Sequence, residues 1–232
     1  MKLAALGDSA VLVTLGETLD VATVGNAQSL AAALEADPLP GFLECVAANA
    51  SITVYYDPVR VVRGSGAASF ERLCGWIQDK GSAAARHVRE VVERRVVIPV
   101  CYGGEGGPDL AAVAAAHGLT ADAVVALHSG AEYFVSAVGF MPGFPYLGGL
   151  PDALRTPRRP TPRTRVPAGS VAIGGAQTGI YPFESPGGWN LIGRTPLRLF
   201  KPEGRPPTLL QAGDRVRFRP ITPEEFKSAL LP

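Results

Sequence analysis

Cysteine is scarce and odd in number. Cys45, Cys74 and Cys101 form no C-x-x-C pair, and none stands at metal-ligand spacing from a histidine. This excludes a disulfide framework and a Cys/His zinc site, and it points to free thiols in a reducing compartment. An excess of charge of one sign is also missing: 22 Lys and Arg against 21 Asp and Glu leave a net +1, so the basic footprint of a general nucleic-acid binder is not present. No run approaches the ~18 apolar residues of a membrane span. The opening apolar run, Leu3 to Leu6, stops at Gly7-Asp8 with no leader-type core behind it. Nor does the chain carry G-x-S-x-G, G-x-x-x-x-G-K-[ST] or G-x-G-x-x-G. The expectation is a soluble, cytoplasmic protein with no metal site, no nucleic-acid partner and no membrane.

What is abundant is backbone punctuation. The 27 Gly and 21 Pro make up about a fifth of the 232 residues, well above ordinary usage of roughly 7% and 5%. With 47% hydrophobic and 19% charged residues there is still enough apolar material for a core. The length suits one or two domains.

The first part reads as ββαββα. Two short strands, Lys2 to Leu6 and Ala10 to Leu15, flank the turn Gly7-Asp8-Ser9. Val24, Ala27, Ala31 and Leu34 recur at helical spacing until Asp37-Pro38. Strands follow at Phe42 to Ala48 and Ser51 to Tyr56, then a helix bearing Phe70, Leu73, Cys74 and Ile77. This is the order of a small α+β domain with helices on one face of an antiparallel sheet. A charged stretch between Gly81 and Arg95, containing His87, Arg89, Glu90 and Glu93, marks the boundary. It divides the chain into 1–90 and 91–232. Beyond it come the strand Val96 to Val100, two short helices (Pro108 to His117, with Pro108 suited to the first helical position, and Ala121 to His128), and then β-type runs among Gly/Pro turns. Those runs are Tyr133 to Val138, Ser170 to Ile173, Leu197 to Phe200 and Arg215 to Arg219, and they suggest a mostly-β barrel or sandwich. Thr222-Pro223-Glu224-Glu225 is a capping box, so a short helix should close the chain.

Chemistry concentrates between Phe140 and Asn190. Phe140, Phe144, Tyr146 and Trp189 stand among prolines and glycines, which can fix aromatic rings as pocket walls. Loops plugging a barrel end would use the same residues. Pro186-Gly187 on its own suits a type II turn. From Ala153 to Phe183 there is no acid, while Arg155, Arg158, Arg159, Arg163 and Arg165 add five positive charges. Guanidinium forks grip carboxylate or phosphate, so a small anion fits here, and a solvated basic loop is the plain alternative. The Gly103 to Gly107 run between a strand and a helix could face a phosphate, but Pro108 removes an amide donor and a flexible turn is favoured. His117 lies on an apolar helical face and reads as structural. His128, four residues from Glu132 and close to the aromatic segment, could act as a general acid/base or as an orienting group, or be structural as well.

Several long motifs occur in one order: Tyr102-Gly103-Gly104, Gly106 to Leu110, Leu127-His128-Ser129, Gly139-Phe140, Pro142 to Gly148, Thr156 to Arg159, Val166 to Val171, and Pro186 to Trp189 with Ile192-Gly193. In these the sequence resembles the family of the bacterial 5-oxoprolinase B subunit, which also takes in the kinase inhibitor KipI and allophanate hydrolase subunit 1. The resemblance is specific from about Val96 to Pro220 and architectural before that. It implies an α+β N-terminal domain followed by a cyclophilin-like β-barrel. It implies one subunit of an ATP-hydrolysing enzyme that cleaves 5-oxo-L-proline to L-glutamate together with subunits C and A, active in the complex. ATP, with Mg2+ as its companion, would be held here or by a partner; phosphorylating the lactam oxygen first would make a stable amide electrophilic. On that picture Arg158 joins His128 and Glu132 as the catalytic set. Phe144, Tyr146, Arg159, Arg163, Arg165, Gln177, Gly187, Gly188 and Trp189 surround the substrate. Asn190 stands where relatives are expected to carry a longer polar residue, and Cys101 falls outside the pattern. The same family leaves two alternatives: a KipI-like inhibitor of a sensor histidine kinase, and a urea carboxyltransferase-type subunit acting on allophanate.

Overall fold

The two runs flanking Gly7-Asp8-Ser9 pair as a hairpin. A computed structural model describes residues 1–62, 68–86 and 94–230; His87, Arg89, Glu90 and Glu93 lie outside the described residues. The chain divides into two compact units, Met1–Val92 and Glu93–Pro232. In the first, β1 (Lys2–Ala5) and β2 (Ala10–Thr14) are antiparallel, with Lys2 opposite Thr14. Helix α1 (Val21–Ala36) starts at Asp20, whose carboxylate accepts from the Thr23 amide at 2.7 Å, and it ends at Asp37 before Pro38. Strands β3 (Phe42–Ala48) and β4 (Ser51–Tyr56) complete an antiparallel sheet of order β1-β2-β4-β3. A short helix α2 (Pro58–Val62), absent from the sequence reading, begins where Asp57 accepts from the Val59 amide at 2.9 Å and Pro58 opens the turn. Helix α3 (Ser69–Arg86) follows. Alternation along β2 and β4 sends Val11, Val13, Ile52 and Val54 to one face, where they pack with Leu30 and Leu34 of α1 and Leu73 and Ile77 of α3, all essentially without solvent contact.

The second unit is a closed barrel. Its strands are β5 (Arg95–Tyr102), β6 (Tyr133–Val138), β7 (Pro145–Gly148), β9 (Ser170–Gly174), β10 (Gln177–Ile180), β12 (Asn190–Arg194) and β13 (Arg215–Pro220). Around the barrel the order is β10-β7-β6-β13-β5-β12-β9. All neighbours are antiparallel except β5 and β13, which run parallel from Arg95 opposite Arg215 to Val100 opposite Pro220. Between β7 and β9 and between β10 and β12, the strands β8 (Arg163–Val166) and β11 (Ser185–Gly187) form a separate two-stranded ribbon. Helices α4 (Leu110–Ala116) and α5 (Ala121–Gly130) connect β5 to β6, and α6 (Pro223–Ala229) follows β13. Thr222 and Glu225 make the expected reciprocal capping box. The barrel core is built on Ile98, Val100, Val135, Leu147, Ile173, Ile192 and Val216, each fully buried.

Three local expectations are corrected. Leu197 to Phe200 is not a strand and makes only a bridge from Phe200 to Thr208; the facing segment carries Pro206 and Pro207, which have no N–H to extend a ladder. Helix α4 starts two residues after Pro108, with Asp109 at its N-cap. The carboxylate of Asp109 does not cap the helix and is bonded elsewhere, as described below. Pro186-Gly187 is not a type II turn. Gly187 is extended within β11, at a point where a side chain would overlap the Tyr181 phenol.

Candidate functional site

The aromatic segment folds around one hollow of about 330 Å³ in the barrel unit. Phe144, entering β7 and 1% exposed, is its hub. Its ring centre lies 4.9 Å from Tyr146, 5.2 Å from Tyr181, and 5.6 Å from both Trp189 and Phe140, each pair edge to face. The Trp189 indole lies against the backbone of β9, where a Cβ on Gly174 would overlap it. Glycine at that position is therefore what seats the indole. Arg158, Arg159 and Pro162 from the arginine-rich loop and Pro186-Gly187-Gly188 from the end of the ribbon complete the lining.

The arginines have different fates. The Arg158 guanidinium carbon stands 5.8 Å from the centre of the Trp189 ring, a cation–π distance, and Arg158 has no ion pair among the described residues. Arg159 Nη1 and Arg163 Nη2 both donate to Oδ1 of Asp109, at 3.1 and 2.8 Å, and the Leu191 amide donates to Oδ2 at 2.7 Å. Asp109, 5% exposed, thus fixes two guanidinium groups and β12 at once. One carboxylate between two guanidiniums leaves the cluster net positive. Arg159 Nε and Arg163 Nη1 are solvent-inaccessible and have no hydrogen-bond partner among the described residues, and such groups ask for a ligand or water. Arg165 points elsewhere, in an exposed two-pronged pair with Glu184 at 2.7 and 2.8 Å. Asn190 donates to the Pro157 carbonyl at 2.8 Å, tying the arginine loop to β12.

Burial pushes the Tyr181 phenol up. The neighbouring Trp189 backbone and the charges of Arg158 and Arg163 pull it partly back, so the phenol stays protonated and can donate to a ligand.

Of the residues expected at the site, the structure brings Phe144, Tyr146, Arg158, Arg159, Gly187, Gly188 and Trp189 to the hollow, with Arg163 held behind Arg159. It does not bring His128, Glu132 or Gln177 there. His128 is fully buried in the barrel, stacked on Phe218 at 4.5 Å. Thr178 Oγ1 donates to the Ala172 carbonyl at 2.9 Å, so it accepts from Nε2 of His128 at 3.0 Å, and Nδ1 accepts from the Tyr102 hydroxyl at 2.8 Å. Desolvation lowers the imidazole to about 3. It is neutral, with every polar atom used. Glu132 pairs with Arg217 at 3.3 Å, and Gln177 bonds Ser136 at 3.3 Å. The Gly103–Gly107 run is a single 3-10 turn whose Gly103 and Gly107 amides are bonded to Ile192 and Gly103 carbonyls. Sequence reasoning missed Asp109, Tyr181 and Pro162 as parts of the site. Asp109 lies fifty positions before Arg159, and no local pattern links them.

A closed barrel with an aromatic, cationic hollow defines a class of protein and leaves the reaction open. A family model for the carboxyltransferase domain, subdomain C and D, matches residues 1–210, and the chain belongs to that family. Within it, the chain is 46% identical over 224 residues to the 5-oxoprolinase B subunit of Bacillus subtilis (strain 168), covering 95% of this chain and 93% of that one. To the 5-oxoprolinase B subunit of Escherichia coli O157:H7 it is 46% identical over 215 residues, 93% and 94% of the two chains. Among solved structures, TTHA0988 superposes with a TM-score of 0.76 at 42% identity over 91% of this chain. The match spans only 40% of the TTHA0988 chain. Among the described residues no single helix is long and apolar enough to cross a membrane.

Proposed function

We propose that this chain is the B subunit of an ATP-dependent 5-oxoprolinase, which opens 5-oxo-L-proline to L-glutamate in a cytoplasmic complex with subunits C and A. The observation that carries the reading at the site is the Arg158 guanidinium over Trp189, at the hollow whose hub is Phe144. 5-Oxo-L-proline is a flat five-membered lactam with one carboxylate. Ring faces suit the lactam, Arg158 suits the carboxylate, and the Tyr181 hydroxyl can donate to an oxygen. Both curated relatives matched over more than nine-tenths of the chain carry the 5-oxoprolinase name. This favours the reading over the kinase-inhibitor and urea-type alternatives.

None of the described residues lining the hollow is an acid, a histidine, a serine or a cysteine. We therefore assign this subunit the binding of the lactam and the balancing of its charge, and assign the attack of water to groups of a partner subunit. The residues here do not fit a nucleotide: the glycine run spends its Gly103 and Gly107 amides on its own backbone, and no cluster of metal-ligating side chains is present among the described residues. We therefore assign ATP and its Mg2+ to a partner. Three unpaired thiols accord with a reducing cytoplasm.

The test is to purify the chain with subunits C and A and assay ATP-dependent release of glutamate from 5-oxo-L-proline. The full set should turn over and the chain alone should not. A full set without turnover overturns the assignment.

A further inference from the structure

We infer that Phe140 is a substrate-gripping residue: its ring covers the open face of the bound lactam at the mouth of the hollow. The inference rests on the reading of that hollow as the 5-oxo-L-proline site.

The first observation is the backbone. Among the described residues two that are not glycine adopt a left-handed conformation, Asn49 (φ 55°) and Phe140 (φ 68°). Asparagine visits this region readily because its short polar side chain can bond locally; a phenylalanine there opposes a steric preference of about 1–2 kcal/mol. Glycines stand at 139 and 143, so the loop has residues suited to a left-handed turn at hand, and Gly143 takes one (φ 82°). Phe140 holds its conformation regardless. The loop is latched by two backbone bonds, Gly139 N to the Phe144 carbonyl at 3.0 Å and Phe144 N to the Met141 carbonyl at 3.1 Å, and Met141 packs on the aromatic cluster. A strained residue that its surroundings enforce marks a functional constraint.

The second observation is exposure. The Phe140 ring touches Phe144 edge to face at 5.6 Å and lines the hollow, yet the residue is 66% exposed while Phe144 is 1% exposed. The fold gains little from this ring, since most of its apolar surface stays in water. That surface becomes useful only when something flat and apolar lies against it. The same hollow holds Arg158 and Trp189, so an occupant whose carboxylate is held at Arg158 lies within the walls to which Phe140 belongs.

The consequence is an unusual pair of signs. Phe140→Asn removes the ring and suits the left-handed backbone. In the complex with subunits C and A, its unfolding midpoint should be equal to or above that of the parent. Its KM for 5-oxo-L-proline should rise about five-fold, the scale of one ring contact, with kcat within two-fold. Phe140→Tyr, which keeps the ring, should restore the parental KM. A residue with a purely structural role would lower the midpoint on replacement and leave KM in place. An unchanged KM in Phe140→Asn overturns the inference, and so does a raised KM accompanied by loss of co-purification with subunits C and A, which would make Phe140 a partner contact. If the parental complex turns over and Phe140→Asn behaves normally, this inference alone fails. If the parental complex releases no glutamate, the reading of the hollow fails and this inference falls with it.

Discussion

Arg158 differs from its neighbours because nothing in the described protein neutralises it. Arg159 and Arg163 divide Asp109 between them and Arg165 is spent on Glu184, whereas Arg158 lies over an indole face that leaves its N–H fork free for an incoming carboxylate. A charge-assisted hydrogen bond of this kind contributes roughly 1.5–3 kcal/mol. Arg158→Ala should therefore weaken binding of 5-oxo-L-proline at least ten-fold in calorimetric titration of the complex, while 2-pyrrolidinone, the same ring without a carboxylate, should bind the two proteins equally. His128 belongs to stability. Its folded value lies near 3 against an ordinary 6.5, because burial disfavours the charged form. Below pH 6.5 the unfolded chain takes up a proton that the folded chain refuses, so this contribution is complete above pH 6.5 and is lost as pH falls toward 3. By pH 5 the total loss, relative to pH well above 6.5, should be about 2 kcal/mol. Urea unfolding at several pH values should show it, and His128→Gln should show a flatter acid limb. At this scale the sequence was only partly legible. It exposed a row of arginines and a ring-rich loop as raw material, but the partner that sorts those arginines, Asp109, is remote in sequence. His128 looked like a catalytic group because its neighbours in the chain are polar, while its neighbours in space are Phe218, Tyr102 and Thr178.

Strand β9 shapes the hollow from behind. A methyl group on Gly174 would overlap the Trp189 ring, and the backbone at that position is not left-handed, so Gly174→Ala is a test of packing alone. Overpacking of this kind costs typically 1–3 kcal/mol. The variant should melt lower, and its displaced indole should raise KM for 5-oxo-L-proline and change the intrinsic fluorescence, for which Trp76 is the constant background. Elements defined by local chemistry were legible from the sequence: β3 and β4 as strand-type runs, α1 up to its stop at Asp37-Pro38, and α6 behind its capping box. Those depending on a distant partner were not. Leu197 to Phe200 has strand composition but faces prolines, and Pro186-Gly187 has turn composition but is pulled straight by pairing with β8.

At the scale of the whole chain, periodicity and punctuation separated an α+β part from a mostly-β part, because each class leaves its own spacing of apolar residues. They could not reveal how the β part closes. That depends on β5 and β13 lying side by side and parallel, although about 120 residues separate them.

The β5–β13 seam also sets a timetable. A ribosome delivers Arg95–Tyr102 long before Arg215–Pro220, so until β13 emerges the nascent barrel is a sheet with an unsatisfied edge, and such edges recruit strands from other molecules. Premature termination anywhere ahead of Arg215 would make that vulnerability permanent, turning a late-arriving staple into the step on which the yield of usable protein in the cell depends.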